Sequence, residues 1–167
     1  MSHHFEQISK TQLFLEVNRD DIHEFCAGVK EEVEVFKEQK DRHFVLELCL
    51  HCADISNPYK PFEMCKQWAY LVVEEFGLQA DKEKAEGLEV SPMMDRDTIN
   101  LFNMQMGFVE FVVAPLILTV INIFYPLYPI GHQMLENYMN WAQMRRREIK
   151  SDNSIDCKYL LLSLLIF

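Results

Sequence analysis

Glycine is scarce in this chain, with five residues among 167. The alternation of apolar and polar residues that is typical of strands is almost absent, as are internal repeats and low-complexity stretches. These absences favour long helices with short joints. The length is that of one ordinary domain, and 49% apolar residues are enough for a sizeable core, which excludes a disordered chain.

Basic residues are also few, with 16 against 26 acidic residues and a net charge of −10. Nucleic acids and anionic membrane surfaces attract basic proteins, so this balance argues against both as the main partner. A small anion would bind only at a local positive site such as a metal ion.

The opening MSHHFEQ lacks the charged and then apolar pattern of a secretory signal, and the five cysteines are odd in number. Both features predict a reduced, cytoplasmic protein. Cys49 and Cys52 form a C-x-x-C, but they lie within a helical pattern and lack a second cysteine or histidine pair. We therefore expect them to pack in the core.

Residues 107–130 form an apolar run long enough to cross a bilayer. Glu110, Asn122 and three prolines interrupt the run, which favours a buried core helix, with a membrane span as the alternative. The terminal YLLLSLLIF is too short to span and follows a basic run, so it is either an interfacial anchor or a segment foreign to the domain. We divide the chain into residues 1–150 and 151–167.

Apolar spacing predicts a helix from Asp41 to Asn57-Pro58 and another after Pro61. The buried face of the second helix should comprise Phe62, Cys65, Trp68, Ala69, Val72, Val73 and Phe76. Gly87 should cap the charged stretch that follows.

A longer helix should begin near Asp97 and kink near Pro115. Its buried positions should be Ile99, Phe102, Met106, Val109 and Val113. A last helix should follow Gly131 and bury Met134, Leu135, Tyr138, Trp141 and Ala142. The first 40 residues should hold one or two helices, with a joint near residues 18–21.

Two polar side chains in apolar surroundings are candidates for chemistry. Asp54 lies where a helix ends, without a basic neighbour, and fits either a helix cap or a metal ligand. Gln105 precedes Phe108 by three residues, so both lie on one side of an apolar helix. Gln105 is either a buried amide bonded to a neighbouring helix or an amide that reads a purine edge while Phe108 stacks on the base. His43 and His51 are interpreted as satisfied or solvent-facing side chains.

The motifs HCADISNPYKP, QWAYLVVEEF, GLEVSPMMDRD and QMGFVEFVVAPL, in this order, resemble the C-terminal half of the catalytic domain of class I cyclic nucleotide phosphodiesterases. The resemblance covers residues 1–148. It implies an all-α, multi-helix orthogonal assembly. In that family two divalent metals, zinc and magnesium or manganese, hold a bridging hydroxide that attacks the cyclic phosphate of cAMP or cGMP.

The resemblance also implies roles for individual residues. Asp54 matches the family's zinc ligand, which would explain an aspartate without a basic partner. The positions that match the nucleotide pocket are Gln105, Phe108, Asn57, Val72 and Met93, with Met1 at its edge. Gln105 would read the purine, Phe108 and Val72 would hold its two faces, and Asn57 favours cAMP, with cGMP left open because the glutamine can rotate to suit either base.

The family's other metal ligands and its general-acid histidine lie in motifs such as H-N-x-x-H, which this sequence lacks. Because a catalytic zinc ordinarily needs three protein ligands, we expect a truncated chain with little hydrolytic activity and no catalytic residue of its own. Apolar patches around Gln105 and Val113 should then be exposed. The alternative is a helical interaction module that pairs with a full-length phosphodiesterase and modulates it.

Overall fold

The computed structural model describes residues 2–31, 34–91 and 94–151. Within these residues there are six α-helices and no strand, which confirms the all-α fold class. The helices are α1 (Ser2–Cys26), α2 (Gln39–Asp54), α3 (Phe62–Ala85), α4 (Leu101–Phe108), α5 (Ala114–Ile123) and α6 (Tyr128–Ser151). Short 3₁₀ turns lie at Glu34–Lys37, Asn57–Tyr59 and Tyr125–Leu127. The tail 152–167 lies outside the described residues.

The first helix is continuous, so the joint predicted near residues 18–21 is wrong. The Asn18 amide donates a 3.0 Å hydrogen bond back to the Phe14 carbonyl within the helix, and Phe14 and Ile22 are both buried. The chain turns instead at Gly28, whose φ of 72° is readily accessible only to glycine.

The break between α2 and α3 falls where the sequence predicts it, between Asp54 and Phe62. On α3, Cys65 and Ala69 are buried as expected, but Trp68 is 45% exposed, so the prediction that it lies in the core is wrong. Trp68 instead borders a cavity described below. Gly87 follows the end of α3 with φ of 70°, as its predicted capping role requires.

The apolar helix begins at Leu101 rather than near Asp97, because the Asn100 side chain caps it by accepting a 2.9 Å bond from the Asn103 N–H. The predicted kink takes the form of a π-helical turn, Val109–Val113, just before Pro115. Proline lacks the N–H that an α-helix would use there, so the extra residue in the turn relieves the mismatch.

The core has two parts that meet on opposite sides of α5. One part joins α3, α4 and α6 and contains Cys65, Ala69, Met106, Val109, Val113, Ile117, Met134, Tyr138, Trp141 and Ala142. The other joins α1, α2 and α5 and contains Ile8, Phe14, Ile22, Leu48, Leu116, Val120 and Ile123. α5 therefore serves both parts, which explains its lack of a polar face.

The stretch Leu101–Ile123 is long and apolar enough to span a membrane, and half of its most apolar 18 residues are buried in the protein. Val113 has no exposed surface, so the predicted exposed patch around it is wrong. The α1 helix lies against α5, and His4 of α1 forms a 2.8 Å hydrogen bond to the Val112 carbonyl. The burial expected of a core helix is therefore partly provided by α1.

The four described cysteines are free. Cys52 is half-buried against the core, where burial raises the pKa of its thiol to about 11. Cys49 is exposed, so the prediction that both C-x-x-C cysteines pack in the core is wrong for Cys49. The two residues lie three positions apart on α2, and Cys52 is the one that packs against the core.

Candidate functional site

A cavity of about 540 Å³ is bordered by α3, α4, the π-helical turn and the turn that holds Asn57. It is lined by Asn57, Trp68, Ala69, Val72, Phe76, Asn103, Met104, Gln105, Gly107, Phe108, Phe111 and Val112. Four of the five residues predicted for a nucleotide pocket are among them. The fifth, Met93, lies outside the described residues, as does Met1.

The Gln105 side chain lines this cavity although the residue is only 7% exposed. Among the residues that the structure describes, none forms a hydrogen bond with its amide. The interpretation as an amide bonded to a neighbouring helix is therefore not what the described residues show. Its acceptor and two donors are available to a ligand in the cavity.

Phe108 lies one turn after Gln105 on α4, and Val72 belongs to α3 on another wall of the cavity. Asn57 adds a second amide from the turn between α2 and α3. The structure thus brings together an amide, an aromatic ring and an aliphatic side chain from separate segments. Their roles toward a base stay predictions.

Several cavity residues were not identified from the sequence. Trp68 and Phe76 lie four residues before and after Val72, so helical spacing places all three on one face of α3. Phe111 follows Phe108 by three residues and is largely exposed. The same periodicity marks a face that packs in the core and a face that lines a cavity, so it could not distinguish them.

Asp54 is exposed at the end of α2 and lines a different cleft of about 430 Å³. The cleft is also lined by Gln7, Glu47, Leu50 and His51. The backbone N–H groups of Ile55 and Ser56 bond to the carbonyls of His51 and Ala53, so the Asp54 carboxylate does not cap these groups. Among the described residues it has no ion pair either.

In residues 2–31, 34–91 and 94–151, no three His, Cys, Asp or Glu side chains come together as a metal cluster. The sequence predicts that His51 and His43 are satisfied or solvent-facing, and the structure agrees. His51 lies 2.8 Å, Nε2 to Nδ1, from His4, and His43 is exposed. Asp54 is therefore a predicted metal ligand that lacks two further ligands beside it among the described residues.

The segment before α4 is held against α3 by ion pairs and hydrogen bonds. Arg96 donates two 2.9 Å hydrogen bonds to the carboxylate of Glu74, which lowers the Glu74 pKa. Lys84 lies 2.8 Å from Asp95 and lowers the pKa of that carboxyl too. Both α3 and α4 line the cavity, so these contacts connect two of its walls.

Residues 1–137 match the sequence model of the 3'5'-cyclic nucleotide phosphodiesterase family. The chain is 40% identical over 111 residues to the probable 3',5'-cyclic-AMP phosphodiesterase pde-4 of Caenorhabditis elegans, a match that covers 66% of this chain and 16% of that protein. It is 38% identical over 103 residues to the high affinity cGMP-specific 3',5'-cyclic phosphodiesterase 9A of Mus musculus, covering 60% of this chain and 19% of that one.

Among solved structures, the chain resembles the phosphodiesterase domain of the RhoPDE fusion protein from the choanoflagellate Salpingoeca rosetta. The TM-score is 0.74 and the identity is 27%, with 90% of this chain and 44% of that chain covered. The matched parts are thus less than a fifth of these two curated relatives and less than half of the solved domain. The chain belongs to the 3'5'-cyclic nucleotide phosphodiesterase family, a family of metal-dependent hydrolases.

Proposed function

We propose that this chain forms the base-binding side of a site that hydrolyses 3',5'-cyclic nucleotides to 5'-monophosphates. One observation carries the proposal: Gln105, Phe108, Val72 and Asn57, which come from three separate segments, line one cavity in which the Gln105 amide has no partner among the described residues. A predominantly apolar cavity with a few polar groups is typical of sites for small organic ligands.

The chemistry of the lining fits a purine. The Gln105 amide can donate to and accept from adjacent atoms on a purine edge, and Phe108 offers a ring face for stacking. Val72 supplies an aliphatic surface from α3 for the opposite face of the base. The volume of about 540 Å³ lies within the range of roughly 300–1,000 Å³ usual for small-molecule sites.

We propose cAMP as the preferred nucleotide, on the Asn57 that the resemblance places beside the base. The matched relatives are named for cyclic AMP in one case and for cGMP in another, so membership of the family leaves both open. Asn57 lines the cavity together with Gln105, so its amide is available to a bound base.

For a complete site we propose zinc and magnesium or manganese, with Asp54 as one zinc ligand that this chain alone does not suffice to load. A catalytic zinc ordinarily takes three protein ligands, and the described residues bring no such group together. These residues therefore do not fit a two-metal site by themselves. Base recognition is the part of the reaction that we assign to them, and the shared cavity lining supports it.

The test is calorimetric titration of the 167-residue chain with cAMP, cGMP and 5'-AMP. Gln105→Leu should weaken the binding of cAMP by about tenfold, because it removes the hydrogen bonds of a buried amide. Gln12→Leu makes the same change at an exposed position of α1 and should leave the affinity unchanged. No binding by the unmodified chain, or equal affinities for both variants, would contradict the proposal.

A second candidate, association with a full-length phosphodiesterase, is favoured by exposed apolar side chains outside the cavity. Leu46 and Leu50 lie one turn apart on α2, and Leu13 and Val17 lie one turn apart on α1; all four are more than 60% exposed. Exposed apolar groups that cluster on a surface mark protein interfaces. Light scattering of the chain with and without a full-length phosphodiesterase tests this candidate, and Leu50→Glu should abolish any complex without changing the affinity for cAMP.

A further inference from the structure

The turn between α2 and α3 contains two backbone carbonyls that its own hydrogen bonds leave unpaired. The Tyr59 N–H donates to the Ser56 carbonyl at 3.2 Å, and the Lys60 N–H donates to the Asn57 carbonyl at 3.4 Å. The next bond of this 3₁₀ series would reach the Pro58 carbonyl from residue 61, but Pro61 has no N–H. Buried carbonyls of this kind need donors from elsewhere.

The Lys60 carbonyl also lacks a backbone donor, because the first hydrogen bonds of α3 go to the carbonyl of the next residue. The N–H groups of Met64 and Cys65 both donate to the Pro61 carbonyl. The carbonyls of Pro58 and Lys60 therefore stand outside both the turn and the helix that follows it.

Asn137 of α6 supplies both missing donors. Its Nδ2 donates to the Pro58 carbonyl at 2.8 Å and to the Lys60 carbonyl at 2.7 Å, and the residue has no exposed surface. Gln133 donates a 3.1 Å hydrogen bond to Asn137 Oδ1, so each side of the amide has a partner of the right kind. This network fixes the orientation of the amide and holds the turn against α6.

Two further contacts restrain the same turn. Pro58 is fully buried, and the Tyr59 hydroxyl donates a hydrogen bond to the Cys52 carbonyl in the last turns of α2. Burial raises the pKa of Tyr59, so the hydroxyl keeps its proton. Asn57 lies in this turn and lines the cavity, so the position of its side chain depends on the restraints around it.

We propose that Asn137 is a positioning residue for the nucleotide site, acting through the Pro58 and Lys60 carbonyls to hold Asn57 at the wall of the cavity. The inference rests on the proposed function and assigns a role to a residue that does not line the cavity itself. Without these two hydrogen bonds the turn gains freedom, and Asn57 loses its fixed place relative to Val72 and Gln105.

The variant Asn137→Asp tests this role in the full chain. It keeps the shape and the Oδ1 acceptor but replaces the donor by an oxygen that faces two carbonyls. At pH 8 we expect the Kd for cAMP to rise about tenfold and hydrogen exchange in residues 55–61 to accelerate. The matched control is Asn140→Asp, which adds the same charge one turn along α6 and should change neither quantity.

Lowering the pH tests whether the missing donor at residue 137 causes the loss of affinity. A buried carboxyl has a raised pKa, so at about pH 5.5 the group introduced by Asn137→Asp should be largely protonated and donate one hydrogen bond. The Kd of the variant relative to the unmodified chain at the same pH should then recover by severalfold. Because protonation of a buried carboxyl also restores stability, both Kd values are measured where circular dichroism shows the variant to be fully folded. A Kd that stays raised at about pH 5.5 would contradict the role of the donor.

Gln133→Ala gives a gentler second test, because it removes the bond to Oδ1 and leaves Asn137 in place. It should raise the Kd for cAMP by about threefold and accelerate hydrogen exchange in residues 55–61. If Asn137→Asp does not fold, this variant tests the positioning role in its place. Unchanged affinity and exchange in the folded variants would overturn the role of Asn137. If the unmodified chain binds no nucleotide, the proposed function fails, and the exchange data still show whether Asn137 holds the turn.

Discussion

The guanidinium group of Arg96 lies directly over Gly77 of α3, so that a Cβ on the glycine would be 2.6 Å from Arg96 Cζ and 2.7 Å from Nε. From this position Arg96 binds both carboxylate oxygens of Glu74 and, through Nε, Asp81 at 3.1 Å. Arg96 precedes α4, and its partners belong to α3. The absence of a side chain at residue 77 therefore allows the segment before α4 to lie close to α3.

Gly77→Ala should displace Arg96 and loosen residues 94–100. Alanine favours a helix interior over glycine by about 1 kcal/mol, but here the methyl group takes the place of the guanidinium. Hydrogen exchange should therefore accelerate in residues 94–100 while the rest of α3 stays protected. Gly107→Ala is the control, because its added methyl group would lie an ordinary 3.9 Å from the nearest atom, Phe111 Cδ2. Equal exchange in both variants would show that Arg96 can move without loosening the segment.

Lowering the pH should weaken the contacts between α3 and the segment that precedes α4. Glu74, Glu83 and Asp95 have pKa values lowered by the hydrogen bonds that their carboxylates accept, chiefly from Arg96, Gln79 and Lys84, respectively. Groups with lowered folded-state pKa values stabilise the fold above their ordinary pKa, 4.5 for Glu and 3.8 for Asp, and this contribution is lost as the pH falls through the lowered values.

The Ser91 N–H, which donates to Glu83 at 2.8 Å, reports this change in an NMR titration. Its chemical shift should move with a midpoint below pH 4.5, and Glu83→Gln should remove the transition. A midpoint at or above that pH would mean that the bond does not favour the ionised form.

Phe108→Ala should weaken the binding of cAMP, since stacking of a base on an aromatic ring contributes roughly 1–3 kcal/mol. The affinity for cGMP should fall by a similar factor, because stacking does not depend on the groups at the purine edge. The control is Phe25→Ala on α1, which removes a partly exposed ring outside the cavity. A loss confined to one of the two nucleotides would contradict a stacking role.

Hydrolysis by the 167-residue chain alone should be slight with zinc plus magnesium or manganese. The described residues place Asp54 without two further ligands, and one carboxylate does not hold a catalytic zinc. Asp54→Ala should therefore change neither the slight turnover nor the amount of bound zinc measured after dialysis. Turnover that Asp54→Ala abolishes would show that other residues of this chain complete a metal site.

Trp141→Ala should destabilise the protein by about 3–5 kcal/mol, the usual loss for a buried aromatic side chain. Trp141 is 1% exposed, and its ring packs edge-on against Phe62 of α3 at 5.2 Å, so the cavity left behind would separate α3 from α6. Urea unfolding measures the change, and Met139→Ala, at an exposed position of α6, should cost less than about 1 kcal/mol. A loss of that small size for Trp141→Ala would mean that α6 repacks.

Local sequence patterns predicted much of this arrangement. The spacing of Gln105 and Phe108 predicted that they share a side of one helix, and both line one cavity. The burial of Met106, Val109 and Val113 was predicted from the same period of 3.6 residues. The start of the last helix was placed four residues late, because Pro129 and Gly131 do not prevent α6 from beginning at Tyr128.

The sequence by itself determined the all-α class, the breaks at Asn57-Pro58 and Gly87, and the family, since these depend on neighbouring residues and on motif order. Only the tertiary structure decided which apolar faces pack together and which line a cavity, as Trp68 shows. It alone revealed Asn137, whose amide reaches a carbonyl 79 residues away. Periodicity is a local property that gives a helix its faces, whereas the partner of each face depends on how distant segments pack and satisfy one another's polar groups.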